Sequence, residues 1–323
     1  MELPLTRVQD IAWIRLKAPD LDLQETFLTN FGMVRSARTD NKLFMRGTDP
    51  AHHIHITELG EPGVIGIAFY VSSLADLELL AKSAKGASGL ERITEPGGGH
   101  RVCVKDPNGL TIEFVHGVAE LEPLPIAPNV LNTGPEKLAR TGELLRVDHG
   151  PSRVKRIGHA VISTPLLQQT IDWSHKHLGV VKSDDVHADD NPEELIGSFN
   201  RIDDGREFVD HHVILFMRHT SPGLNHVAFE VHDFDDLAVG HEYLKARNED
   251  LHVWGLGRHT LGSQIFDYWK DPWGRIHEHW TDSDMLNIDH VFQSHPRSVG
   301  FKSQWGSQSP QEFRESSSPL ADL

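Results

Sequence analysis

Cysteine is almost missing from this chain. Cys103 stands alone among 323 residues, so neither a disulfide framework nor a thiolate metal cage can form within one chain. Basic residues are also short: 31 Lys and Arg against 47 Asp and Glu leave a formal net charge of −16. Phosphate contacts need clustered Lys and Arg, so neither nucleic acid nor an anionic membrane surface is an expected partner. No apolar run approaches the length of a membrane span, and the opening MELPLTRVQD lacks the apolar core of a signal peptide. The expectation is a cytoplasmic enzyme or binding protein. With 38% hydrophobic and 24% charged residues, one large domain or two of ordinary size can each bury a core.

Histidine, by contrast, is abundant. There are 22, most of them after residue 150. The stretch Gly257 to Asp284, GRHTLGSQIFDYWKDPWGRIHEHWTDSD, reads as two short strands joined at Asp271-Pro272-Trp273-Gly274. Pro fixes φ at the second turn position and Gly accepts a positive φ near the end. The flanking runs, Gln264–Trp269 and Arg275–Trp280, alternate and are rich in Ile, Phe, Tyr and Trp. Ile276, Glu278 and Trp280 share one face, and His277 and His279 take the other. A carboxylate between Ile and Trp on an inward face is costly unless a cation meets it, and a metal ion is the obvious candidate.

An internal repeat organises the rest. IAWIRLKAPDL, GVIGIAFYVSSLADLELL and VKDPNGLTIEF in the first half answer to IGHAVISTPLL, GLNHVAFEVHDFDDLAVG and WKDPWGRIHEH in the second. Trp13 falls opposite His159, Gly66 opposite His226, and Glu113 opposite Glu278. Each half reads as strand, helix and several strands, an α+β pattern with mostly antiparallel sheet. The Pro-rich PLPIAPNVLNTGPE (Pro123–Glu136) marks the boundary between them. Expected bounds are a first domain at 1–120, a linker at 121–150, a second domain at 151–290 and a tail at 291–323. The tail, rich in Ser, Pro and Gln, reads as an arm or a flexible end. The acidic run Asp184–Glu194 reads as a solvated loop, because it lacks the ligand spacing and central Gly of a calcium loop.

On its strand His159 shares a face with Ile157 and Val161, and His226 shares one with Ala228 and Glu230. Two strand histidines and an inward Glu278 make the two-histidine, one-carboxylate set that leaves three coordination positions open, as in non-haem Fe(II) oxygenases. The first half has Trp13 and Gly66 where the histidines fall, so it keeps the repeat without the ligands. His52, His53 and His55 lack matching partners and read as structural. His175, His177, His219, His232, His241, His252, His277 and His279 are assigned solvated or packing roles.

From Val8 to Asp284, and most strongly from Ile157 on, the chain resembles the two-domain type I extradiol ring-cleavage dioxygenases of the vicinal oxygen chelate superfamily. That group includes catechol 2,3-dioxygenases and 2,3-dihydroxybiphenyl 1,2-dioxygenases. The resemblance implies a glyoxalase/bleomycin-resistance-like fold of paired βαβββ modules in two similar domains, with only the second binding metal. It implies His159, His226 and Glu278 as ligands of Fe(II), with Mn(II) as the substitute that suits the same triad. In the family an acid–base histidine precedes the second ligand by about fifteen residues. His211 lies there, and the following Val213-Ile214-Leu215 favours it over the adjacent His212. His259 and Tyr268 stand nineteen and ten residues before Glu278, at the spacings of the family's remaining catalytic histidine and tyrosine.

The implied reaction is extradiol cleavage of a catechol by O2 to a muconic semialdehyde-type product, in a homo-oligomer. Trp254, Trp269, Phe266, Ile214 and Val213 are candidates for an aromatic pocket, and Arg258 for a ring carboxylate. The competing expectations are a glyoxalase- or fosfomycin-resistance-type isomerase or transferase, a 4-hydroxyphenylpyruvate-type dioxygenase, and a non-catalytic small-molecule binding protein.

Overall fold

A computed structural model of the chain describes residues 3–127 and 129–321; one position of the Pro-rich linker and the last two of the tail lie outside the described residues. In the first half β1 (Val8–Ala18) leads through α1 (Leu21–Asn30) to β2 (Val34–Arg38), β3 (Lys42–Arg46) and β4 (His55–Leu59). A second such unit follows: β5 (Gly63–Val71), α2 (Leu74–Ser83), β6 (Glu91–Arg92), β7 (His100–Lys105) and β8 (Thr111–His116). Side chains cap the helices, since Asp20 accepts from the amides of Asp22 and Leu23, and Ser73 from that of Asp76. The eight strands form one sheet in the order β2-β3-β4-β1-β5-β8-β7-β6.

The second half repeats this order. Its strands are β9 (Val154–Thr164), β10 (Val181–Ala188), β11 (Asn191–Arg201), β12 (Val209–Asp210), β13 (Ile214–Arg218) and β14 (Gly223–Val231). They continue as β15 (His252–His259), β16 (Ile265–Lys270), β17 (Ile276–Thr281) and β18 (Met285–Leu286). Helices α3 (Leu167–His177) and α4 (Phe234–Asn248) follow β9 and β14. The tail adds β19 (Gln293–Pro296), α5 (Arg297–Gly300), β20 (Ser303–Trp305) and α6 (Gln311–Arg314). The sheet order is β19-β10-β11-β13-β9-β14-β17-β16-β15-β20, with β12 and β18 paired separately. The Asp271–Gly274 turn forms as expected, with Gly274 at φ +82° and its amide bonded to the Asp271 carbonyl at 2.9 Å.

Strand register makes the repeat concrete at five positions. Trp13 lies opposite Ala68 and His159 opposite Ala228, while Ala68 and Ala228 lie in turn opposite Glu113 and Glu278. Arg15 pairs with Gly66, as Val161 pairs with His226. In the first half the buried Arg15 meets Glu113 at 2.6 Å, with Glu58 and Glu95 at 2.8 and 3.0 Å. A guanidinium there neutralises the carboxylate that the second half leaves facing two histidines.

The two sheets share one large apolar core. Phe31 stacks on His279 with ring centroids 3.7 Å apart, and its carbonyl accepts from His279 Nε2 at 2.6 Å. His277 and His55 approach to 3.3 Å. These histidines pack the two halves together on the side of β17 away from Glu278.

The solvated-loop expectation fails here, and so does the flexible-end reading of the tail. The acidic run is the β10–β11 hairpin, because Asp184 and Asp185 are buried and partnered by His211, His295 and Lys182. The tail is packed rather than loose. Its strands cover both edges of the second sheet, Ser318 pairs with Leu224, and Ala321 donates to Val64 in the first half.

Candidate metal centre

Three strands place three donor atoms together. Glu278 Oε2 lies 3.1 Å from His159 Nε2 and 3.2 Å from His226 Nε2, with all three side chains buried. Glu278 sits on β17 between the inward Ile276 and Trp280, and β14 separates it from β9, which carries His159. Burial works against its charge, but the two histidines against it outweigh this and hold the carboxyl well below the usual range. Glu278 Oε1 is buried without a hydrogen-bond partner. A buried carboxylate with one oxygen against two imidazole nitrogens and the other without a partner fits a divalent cation better than a hydrogen-bonded core.

The neighbours of His226 fix its tautomer. The Asn225 amide nitrogen donates to the carbonyls of Phe313 and Ser316 at 3.0 and 2.9 Å. Its Oδ1 therefore faces His226 Nδ1, 2.7 Å away, and accepts that proton. This leaves Nε2 of His226 with its lone pair toward Glu278 and His159. The same residue thus orients His226 and ties down the tail. Nothing in the sequence pattern marks Asn225.

His259 and Tyr268 lie beside the triad. His259 Nε2 is 2.8 Å from the Tyr268 hydroxyl and 3.9 Å from Glu278 Oε1. Burial takes His259 down to about 4, and burial with the nearby Glu278 carboxylate pushes Tyr268 well above its ordinary value. Near neutral pH the pair is a neutral imidazole and a neutral phenol.

The two adjacent histidines, His211 and His212, are placed differently. His212 faces the cavity, its ring centroid 4.2 Å from that of His159, while His211 points away to Asp184 Oδ2 at 2.8 Å. Strand alternation fails at this point because the chain bends at residues 211 and 213, before β13 begins. His211 is still coupled to the cavity. Its Nδ1 is 3.1 Å from Nδ1 of His212. With His211 Nε2 donating to Asp184, its Nδ1 accepts from His212, and His212 Nε2 keeps a free lone pair. Burial first, then the nearby histidines, press His212 well below its ordinary value, so it is neutral.

These side chains form the deep end of a cavity of about 350 Å³. Its walls include Val161, Phe199, Leu215, Leu261, Phe301 and Phe313, and Arg218, Arg297 and Arg314 reach its mouth. Of the expected pocket residues, Trp254 lines the cavity, and Phe266 stacks behind His259 at 4.0 Å. Val213 and Ile214 belong to the core, and Trp269 lies on the other face of β16. Arg258 is held by the Ser263 carbonyl and Asp282. Phe313 packs on His226 and Tyr268 with ring centroids 5.5 and 4.6 Å apart, so the tail supplies a wall that no motif announced.

No family model matches the chain. Metapyrocatechase 2 of Cupriavidus necator is 26% identical over 313 residues, 96% of this chain and 92% of its own length. Homoprotocatechuate 2,3-dioxygenase of Brevibacterium fuscum, solved with 3,4-dihydroxyphenylacetate, aligns at TM-score 0.82 and 19% identity, covering 100% of this chain and 96% of that one. The Mn(II)-bound glyoxalase of Novosphingobium aromaticivorans aligns at TM-score 0.76 and 24% identity, covering 95% and 94%. The fold is that of the vicinal oxygen chelate proteins, and among them the chain resembles the two-domain type I extradiol ring-cleavage dioxygenases.

Proposed function

We propose that this protein cleaves a catechol-type ring with O2, adjacent to the two hydroxyl-bearing carbons, at an Fe(II) held by His159, His226 and Glu278. The observation that carries this reading is the buried triad, whose carboxylate keeps one oxygen without a partner at the end of an apolar cavity. Iron bound there would supply adjacent positions for the diol oxygens and O2 and a route for electron density from ring to oxygen; Mn(II) suits the same ligands.

The surrounding residues have distinct tasks. His212 is the base: it is neutral, its Nε2 lone pair is free, and the His211–Asp184 chain behind it stabilises a proton once taken up. Returning that proton to a product oxygen completes the acid–base cycle. The Tyr268 hydroxyl and His259 Nε2 hold the substrate oxygens by hydrogen bonds in a site from which Phe313 and Trp254 exclude water. Both atoms of O2 enter the ring-opened product.

The glyoxalase neighbour makes metal-dependent isomerisation the competing reading. The Asp184–His211–His212 chain and the His259–Tyr268 pair support ring cleavage over it. The test is to load the protein with Fe(II) anaerobically, add catechol or 2,3-dihydroxybiphenyl in air, and follow the visible spectrum. A yellow product that His226→Ala does not form supports the reading, and a colourless mixture with both substrates refutes it for simple and biaryl catechols.

A further inference from the structure

We propose that His241, His252 and Asp267 form a second metal site, taking a divalent late first-row transition ion with Zn(II) foremost. His241 comes from α4, His252 opens β15, and Asp267 lies on β16, on the face opposite Tyr268. His241 Nδ1 and His252 Nε2 stand 3.1 and 3.0 Å from Asp267 Oδ1. The three donor atoms lie within 4.8 Å of one another, as those of His159, His226 and Glu278 do. The donor set is the same, and so is the spacing, 3.0–3.1 Å here against 3.1–3.2 Å there. Ligands bound to Zn(II) at roughly 2.0–2.2 Å and arranged tetrahedrally stand roughly 3.3–3.6 Å apart, a few tenths of an ångström beyond these separations and within reach of small side-chain rotations.

The carboxylate is prepared for this. Asp267 is wholly buried; Trp269 Nε1 donates to its Oδ2 at 2.5 Å, His241 Nδ1 lies 3.2 Å from that same oxygen, and Oδ1 is the oxygen that both imidazoles reach. Gly255, at φ +137°, leaves the room: a Cβ there would stand 2.6 Å from Asp267 Oδ1. The two histidine rings are crossed at 84° with centroids 4.9 Å apart, so their nitrogens converge rather than stack. Both histidines are only partly buried, which gives an ion a path in and leaves a coordination position for water. Two imidazoles favour Zn(II) over Mn(II) and Mg(II). The ion would pin α4 to the hairpin that carries His259 and Tyr268, a role separate from the ring chemistry on the other face.

The alternative is a purely hydrogen-bonded trio in which both histidines donate to one oxygen, and metal counting separates the two. Full-length protein is freed of metal by chelation, dialysed against Zn(II), and assayed for bound metal, alongside His252→Ala, His159→Ala/His226→Ala, and the triple variant. Circular dichroism checks that each is folded. The proposal predicts two equivalents per chain in the parent, one in His252→Ala, one in the double variant and none in the triple. Zn(II) should also raise the melting temperature of the double variant and leave that of the triple unchanged. A double variant that binds no Zn(II), or a triple variant that binds as much as the double, overturns it. Should the double variant not fold, the parent and His252→Ala decide the matter alone: equal metal content refutes the site. Ring cleavage enters none of these readings, so failure of the proposed function leaves the result intact.

Discussion

Asn225 gives the sharpest test of how this centre is built. Its buried side chain satisfies the Phe313 and Ser316 carbonyls and accepts from His226 Nδ1. Asn225→Ala strips a partner from three groups at once. A buried polar group without a partner costs about 1–3 kcal/mol, and the tail can swing out to hydrate its two carbonyls, so a net loss of about 2–4 kcal/mol is expected. His226 also loses the group that fixes its tautomer, which lowers metal affinity roughly 10- to 100-fold. Asn225→Asp separates the two effects. Its carboxylate still accepts from His226 Nδ1 but cannot donate to the carbonyls, so metal affinity should hold while the tail is released. Anaerobic Fe(II) titration reads the first effect and limited proteolysis of the tail the second. An alanine variant that binds Fe(II) like the parent refutes the reasoning, as does an aspartate variant that loses as much affinity as the alanine one.

Other expectations follow from the same geometry. His212→Asn should keep its metal and slow turnover roughly 10²- to 10⁴-fold, and His211→Ala should do so less, by steady-state rates on metal-matched protein. A His212→Asn enzyme as fast as the parent removes the base from this position. Arg15→Met leaves the buried Glu113 with only the longer Arg101 contact at 3.5 Å, so it should destabilise by up to about 3–5 kcal/mol in urea melts, and adding Glu113→Leu should recover much of that. His53 is taken down to about 3 by burial first, then by His52 and Arg15. The unfolded chain therefore binds its proton first, so stability is full above pH ~6.5 and falls as the pH drops toward 3. His53→Phe should flatten that slope in melting temperature against pH.

The triad could be read from the sequence because strand alternation holds at each of its positions: His159, His226 and Glu278 all sit inside regular ladders. The repeat was legible for the same reason. His212 was not, because the family spacing counts to His211, and the bends on either side of His212 turn that side chain rather than its neighbour into the cavity. The β10 strand was hidden by its own aspartates, which look solvated until His211 and His295 are seen to meet Asp184. The tail escaped because backbone carbonyls and one buried Asn hold it, and carbonyls leave no mark on composition. His241, His252 and Asp267 come from a helix and two strands, and only the packing of α4 on the hairpin brings them together.

The central claim is that the triad runs ring cleavage by O2. An oxygen electrode decides it, using Fe(II)-loaded protein of measured iron content and limiting catechol, with catalase added at the end. The account predicts one O2 consumed per catechol and no oxygen returned by catalase. No uptake by iron-loaded protein across a panel of catechols, or uptake that catalase returns as oxygen from peroxide, would contradict it.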